Sequence, residues 1–387
     1  MSSFSDIGKG KYKLFVELGY DNKGKRIRKT KTVNASGVRE AQRKLSEFET
    51  EVYSKTHIDT KETPFSAFVE LWKTNYGYSK IERRTLENYE NSLASSIIPY
   101  FGSMKMNKIK TLHIVEFFRK EEEAGRATLE MKYFILSNIF RHAKLWGIIE
   151  TNPMEGIEKP KYKKNERDPY NDKEIETLLE RIKMQPTQHQ LIIKLAVLGA
   201  LRRGEVIGLT DDVIDFENNQ ITVKQTIQYT KRDGLYMKGT KKEDTRTITI
   251  PEFLMRELED YYKERLEFKE KMANLWEGFK DQDGNKLFML FSNEYGKPYT
   301  PNAVTRFWHR FLDRTDLRRI AFHDLRHSAV SYALRHGVNI KVIQKRLGHK
   351  NITTTLNTYA HVTDDDDKEV SDILNNMFGH QDDTKTK

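Results

Sequence analysis

The stretch LGHKNITTTLNTYAH, Leu347 to His361, decides the reading of this chain. It sets one tyrosine, Tyr359, ten residues after the pair Gly348-His349. Upstream lie His323-Asp324-Leu325-Arg326 and, further back, Leu201-Arg202-Arg203-Gly204-Glu205. A phosphodiester resists attack because its negative charge repels nucleophiles. Breaking it requires neutralisation of the phosphate, a placed nucleophile and a proton donor for the leaving oxygen. Arginine suits the first task, since its fork binds phosphate in bidentate fashion and keeps its proton. Two arginines, two histidines and a tyrosine in this order are what such chemistry needs without a metal.

The three boxes resemble those of the tyrosine recombinase (phage integrase) family. GALRRGEVIGL, residues 199–209, resembles the family's first arginine box, usually Thr-Gly-Leu-Arg-x-x-Glu-Leu, with Gly199-Ala200 in place of Thr-Gly. The resemblance aligns Arg202, and not Arg203, with the catalytic arginine, and gives Glu205 the task of orienting Arg202 or its neighbours. His323-Asp324-Leu325-Arg326-His327 matches the His-x-x-Arg box. Three residues apart, His323 and Arg326 are expected on one helix face. Arg326 is then the second phosphate clamp, and His323 accepts or relays the tyrosine proton, its ordinary pKa of about 6.5 allowing both directions. By the same resemblance His349 donates a hydrogen bond to a phosphate oxygen. Tyr359 is picked from 18 tyrosines by spacing as the nucleophile. Its phenol, with an ordinary pKa of about 10, needs a base or a cationic pocket to attack. A lysine on a hairpin between the first two boxes is expected to protonate the leaving 5′ oxygen. MKGTKKEDTRTITIP, residues 237–251, resembles that hairpin's Lys-Thr-x-x-Ser-x-Arg-Thr-Ile pattern, with Lys241 in the lysine position and Lys242 and Lys238 as alternatives.

Composition fits a polyanionic partner. The 387 residues carry a formal net charge of +10 and a pI near 9.2, and phosphate neutralisation dominates nucleic-acid affinity. Hydrophobic residues make up 37%, enough for packed cores. There is no cysteine, which excludes disulfides and thiolate metal sites. No apolar run reaches the roughly 18 residues of a membrane span, and the first residues lack a secretory signal. A cytoplasmic protein acting at the nucleoid, without cofactor or metal, is the expectation.

The expected fold is multidomain, mainly α with small β-sheets. Residues 1–58 form a small sheet plus a helix. Lys11 to Leu18 alternates with Tyr12, Leu14, Val16 and Leu18 on one face, Asp21 to Gly24 turns, and Lys25 to Val33 is a second, very basic strand. Residues 1–33 hold nine Lys or Arg against three acids, a net of +6. Ser36 is a plausible cap for a helix facing inward with Val38, Ala41, Leu45, Phe48 and Val52. This module resembles the arm-type DNA-binding domain of integrases from Gram-positive phages and mobile elements. Residues 63–158 form an all-helical unit. Thr63-Pro64 opens its first helix, and further helices cover Glu82 to Ser95, Thr111 to Glu123, and a span from near Thr128. The stretches PYFG and NIFRHAKLWGIIETNP resemble the family's core-binding domain, and the aromatic stripe reads as core. KPKYKKNER, residues 159–167, is a basic linker.

Residues 168–378 are the mixed α/β catalytic domain. Expected there are a helix from Asp172 to Ile182, an apolar helix from Gln190 to Leu201, and strands over Gln220 to Gln228 and Arg246 to Ile250. Val370, Ile373, Leu374, Met377 and Phe378 make a short amphipathic helix, which packs in cis or docks on a neighbouring protomer. Residues 379–387 are expected to be a disordered tail. The resemblance implies site-specific DNA recombination at core and arm sites, a homotetramer, and the help of an excisionase and a host DNA-bending protein. Three rivals remain: a type IB topoisomerase-like or resolvase enzyme, a DNA-binding regulator on an inactive scaffold, and a metal-dependent nuclease.

Overall fold

The computed structural model describes residues 2–8, 10–20, 26–55, 63–125, 128–160, 168–239 and 245–348, with side chains left aside at 18–20, 26–27 and 50–55. The chain divides into two compact units, Met1–Lys164 and Asn165–Lys387. Within the first unit, strands β1 (Ser3–Asp6), β2 (Lys11–Tyr20) and β3 (Arg26–Asn34) form an antiparallel sheet in the order β1-β2-β3. Strand side chains alternate between faces. Tyr12, Leu14 and Val16 are therefore buried together against Ala41, Leu45 and Phe48 of helix α1 (Val38–Lys55). Strand β1 was not anticipated from the sequence, because its four residues are too few to show a period. Two details of α1 differ from expectation. Val38 is exposed, and the helix begins two residues after Ser36, which donates to the Glu40 carboxylate through both its N–H (2.8 Å) and its hydroxyl (2.5 Å).

The rest of the first unit is helical: α2 (Phe65–Trp72), α3 (Tyr78–Lys80), α4 (Arg83–Ser92), α5 (Ile98–Phe101), α6 (Thr111–Glu123) and α7 (Leu129–Leu145). Phe65, Phe68, Trp72, Phe101, Phe117 and Phe140 fill the core, as the stripe reading expects. Pro64 is extended, and the first helical residue is Phe65, one later than expected. The second expected helix starts where Glu82 accepts from the N–H groups of Arg84 and Thr85. It does not stop before Ile98-Pro99. A π turn at Leu93–Ile97 carries it into α5, which holds Pro99 near its start. A proline is cheapest in a first helical turn, and the π turn restarts the count just ahead of it. Buried polar groups tie the bundle. Trp72 Nε1 donates to Asn138 Oδ1 (3.1 Å), and Lys132 pairs with Glu121 inside it.

The second unit begins with α8 (Asp172–Arg181), capped reciprocally by Asn171 and Glu174. Helix α9 (Thr187–Val197) is buried through Leu191, Ile192, Ile193, Leu195 and Ala196. It ends four residues short of the expected Leu201, because Ala200 turns left-handed (φ 54°). The short helix α10 (Arg203–Val206) follows. Next come β4 (Ile214–Asp215), β5 (Gln220–Val223), β6 (Gln225–Thr230), β7 (Gly234–Gly239) and β8 (Arg246–Thr249). The single strand expected over Gln220 to Gln228 is two strands broken at Lys224: β5 pairs with β4 and β8, whereas β6 pairs with β7. Ile221, Val223 and Ile227 share one alternation phase, which masks the break, although Gln225 stands in that phase just after Lys224. Helix α11 (Glu252–Met272), the pair β9 (Phe279–Lys280) and β10 (Lys286–Leu287), and helices α12 (Pro301–Leu312), α13 (Asp324–Arg335) and α14 (Ile340–Leu347) complete the described part.

Candidate active site

Arg202 occupies the cap position of α10, extended at φ −72° and ψ 149°. Its N–H donates to Glu205 Oε2 and its Nη1 to Glu205 Oε1, both at 2.8 Å. The next turn can lie this close to the β6-β7 hairpin only because residue 204 is glycine. A β-carbon there would overlap the Thr226 hydroxyl and stand 2.9 Å from the Ile227 carbonyl oxygen. Arg203 points elsewhere, to the Thr305 hydroxyl on α12.

Arg326, on α13, is buried. Its Nη1 donates to the Ala200 carbonyl (2.5 Å), 126 residues away in sequence, and its Nη2 to the Leu347 carbonyl (2.6 Å). It thereby fastens the turn before Arg202 to the end of α14. His323 is exposed at the cap position of α13, where it already holds helical dihedrals (φ −67°, ψ −24°), and its carbonyl accepts from the Arg326 N–H (3.2 Å), so the two are one helical turn apart as expected. The Ala321 N–H donates to the Asp324 carboxylate (2.9 Å) in the turn that leads into the helix. The His323 ring lies 5.2 Å from that of His327.

The centre of the site is Glu205, a residue to which the sequence assigns only an orienting task. Its carboxylate is 7% exposed and also takes the fork of Arg246, a residue given no role from the sequence. Arg246 Nη1 lies 3.1 Å from Oε1 and Nη2 lies 2.7 Å from Oε2. Arg326 Nη1 is 3.8 Å from Oε2. Burial alone would raise the pKa of this carboxyl. The Arg246 fork, the charge of Arg202 and the Arg202 N–H outweigh it, and hold the group down at about 2. Arg246 Nε donates to the Arg346 carbonyl (2.9 Å) near the end of α14. Gly348 follows in the left-handed region (φ 67°), and a β-carbon there would stand 3.0 Å from Arg246 Cδ. The only sequence signal for Arg246 was its place in the hairpin pattern, opening a strand after Lys241.

Lys238 is exposed on β7 opposite Thr226. Lys241, Lys242, His349, Tyr359 and the amphipathic segment 370–378 lie outside the described residues, as does most of the expected linker. Among the described residues, no group of three or more His, Asp or Glu side chains converges, and no helix is long and apolar enough to cross a membrane.

Two sequence profiles match this chain: the phage integrase family over residues 170–366, and the phage integrase N-terminal SAM-like domain over residues 64–121. The first alone spans just over half of the 387 residues. The chain belongs to the phage integrase family. This integrase-family chain is 26% identical to a tyrosine recombinase XerC-like protein of Caldanaerobacter subterraneus subsp. tengcongensis, over 96% of the chain and 97% of that protein. It is 23% identical to the ICEBs1 integrase of Bacillus subtilis, over 97% of the chain and all of that protein. Its fold is similar to that of the Tn1549 transposon integrase in complex with a circular intermediate DNA, with a TM-score of 0.64 at 22% identity, over 79% of the chain and 98% of that structure. The fold of a lambda integrase tetramer bound to a Holliday junction gives 0.55 at 16%, over 90% and 96%.

A second charged surface lies on the N-terminal sheet. Lys11, Lys13, Phe15 and Glu17 face away from α1, with Thr32, Thr30 and Arg28 directly across from Lys13, Phe15 and Glu17. The Arg28 guanidinium stands 5.3 Å and the Lys13 ammonium 5.8 Å from the centre of the Phe15 ring. Cations and hydroxyls around one ring are donors suited to a phosphate backbone.

Proposed function

We propose that this chain is a site-specific DNA recombinase that integrates and excises a mobile element, with Arg202, Lys241, His323, Arg326, His349 and Tyr359 as its catalytic set. Arg202 and Arg326 neutralise the scissile phosphate, assisted by His349. The Tyr359 oxygen attacks phosphorus and His323 takes its proton. The bond from phosphorus to the 5′ oxygen breaks, and Lys241 protonates that oxygen. A 3′-phosphotyrosyl link and a free 5′-hydroxyl result. The 5′-hydroxyl of the partner duplex then attacks the link and releases the tyrosine. One phosphoester replaces another at each step, so bond energy is conserved and the exchange needs neither ATP nor metal. The observation that carries this reading is that two box arginines, far apart in sequence, converge on one buried carboxylate.

The relatives supply the setting. The Tn1549 integrase structure holds a circular intermediate DNA, one lambda integrase structure holds a core site, and another holds a lambda integrase tetramer on a Holliday junction. By analogy this chain acts as a homotetramer on core-type sites, through a helical core-binding domain over 63–158 and a catalytic domain over 168–378 joined by the linker 159–167. Residues 1–58 bind arm-type sites through the Lys13, Phe15 and Arg28 face. An excisionase and a host DNA-bending protein assist, and the work is done in the cytoplasm at the nucleoid.

The test is covalent trapping in EDTA. A core-site duplex is selected from a random library by binding to Tyr359→Phe protein, then nicked so that cleavage cannot reverse. The expected result is a protein–DNA adduct on a denaturing gel that Tyr359→Phe abolishes while DNA binding persists. Binding without an adduct would instead make the chain a regulator on an inactive scaffold.

A further inference from the structure

A carboxylate has about four acceptor positions. On Glu205 all four are taken: Oε1 by Arg202 Nη1 and Arg246 Nη1, Oε2 by the Arg202 N–H and Arg246 Nη2. Arg246 supplies two of these, from a side chain that is 8% exposed and locked by its bond to the Arg346 carbonyl. Arg202 is different. Its side chain is 41% exposed and commits a single guanidinium N–H to Glu205. Among the described residues its other guanidinium N–H groups meet no protein acceptor. We infer that Arg246 is a positioning residue: by filling Glu205 it prevents that carboxylate from drawing in Arg202, which keeps its outer edge turned out for the scissile phosphate.

The alternative geometry is close at hand. With the Arg246 fork gone, two lone pairs open on a buried anion. A buried carboxylate left short of donors recruits whichever cation is nearest. Arg202 already touches it and has N–H groups to spare. A second, parallel hydrogen bond to Glu205 would turn Arg202 inward as a bidentate pair and take it from the phosphate. The role is one of occupancy, not charge alone, because a lysine in place of Arg246 would return a cation without the planar fork.

This inference rests on the proposed role of Arg202 and deepens it. The experiment uses the full chain and the selected nicked core duplex, and measures the single-turnover rate of adduct formation beside the equilibrium Kd for uncut duplex. Arg246→Gln should slow adduct formation on the order of 100-fold, the usual cost of a misplaced phosphate donor, with Kd changed by less than about threefold. The deciding variant is the double substitution Arg246→Gln with Glu205→Gln. Neutralising residue 205 removes the pull on Arg202, so the double variant should regain at least about tenfold over the single, a non-additivity that marks coupled residues. A purely structural role predicts the reverse, with losses that multiply. If Arg246→Gln fails to fold by thermal melting, Arg246→Lys takes its place, with a smaller loss that Glu205→Gln again relieves. A double variant as slow as the single, or slower, overturns the inference while leaving the recombinase reading intact. A wild-type protein that binds the duplex and never forms the adduct overturns both.

Discussion

Glu205 is a carboxylate kept charged inside the protein by arginines. Its folded pKa of about 2 lies below the ordinary 4.5. A depressed carboxyl pKa contributes stability that is fully present above the unfolded pKa and is lost as pH falls through the folded one. The gap in melting temperature between wild type and Glu205→Gln should therefore be widest above pH 4.5 and close as pH falls towards 2. A gap that stays constant over that window would mean that Glu205 is held by something other than its arginines. Ala200 is the other informative residue. It holds a left-handed conformation (φ 54°) that costs a side-chain-bearing residue roughly 1–2 kcal/mol, and its carbonyl is gripped by Arg326. Glycine relieves that cost but loses roughly 0.4–1 kcal/mol through the unfolded chain. Glycine also forfeits the buried methyl packed with Val330, Ile343 and Leu347, worth about 0.8 kcal/mol, so Ala200→Gly should leave stability within about 0.5 kcal/mol of wild type. Ala200→Val should destabilise by more than about 1 kcal/mol, since a branched side chain tolerates this region least. Chemical denaturation of the two variants checks both magnitudes.

At the scale of elements, the helices of the first unit are joined by a buried ion pair. Glu121 on α6 and Lys132 on α7 are 6% and 5% exposed. Removing one partner strands a charge in the core, whereas replacing both with apolar groups of similar volume is often neutral. Glu121→Leu alone, which takes the carboxylate from the buried Lys132 ammonium, should destabilise the helical unit by roughly 3–5 kcal/mol, and Glu121→Leu with Lys132→Met should restore most of that loss. Urea melts followed by helical circular dichroism distinguish the two. Equal losses in single and double variants would show that the pair contributes packing only. The same scale explains where periodicity misled. Ile221, Val223 and Ile227 fall in one alternation phase, yet the residues before and after Lys224 pair with different strands, and that change of partner marks the break. The helix ending at Phe101 passes Pro99 by way of a π turn, a device with no local sequence mark.

At the scale of the whole molecule, charge is unevenly distributed. Residues 1–33 carry +6 of the chain's +10, and exposed Lys11, Lys13 and Arg28 share one face of the N-terminal sheet. Neutralising phosphates releases counterions, each contact adding about 0.9 to the salt slope on duplex DNA. Replacing all three residues by glutamine should lower the slope of log K against log salt for arm-type duplex by about 2–3. An unchanged slope would remove this face from the DNA-contact surface.

The sequence by itself determined the family and the mainly helical class with small sheets, and it supplied the box residues proposed for catalysis. Those are legible because catalytic chemistry admits few residue types and holds them at short, fixed spacings, and because helix and strand periods are properties of the local chain. The tertiary structure alone decided that Arg202, Arg246 and Arg326 meet at Glu205, and that Arg326 grips the carbonyls of Ala200 and Leu347. A buried charge takes its partners from whichever elements fold beside it. Those partners, up to 126 residues distant, leave no periodic trace along the chain.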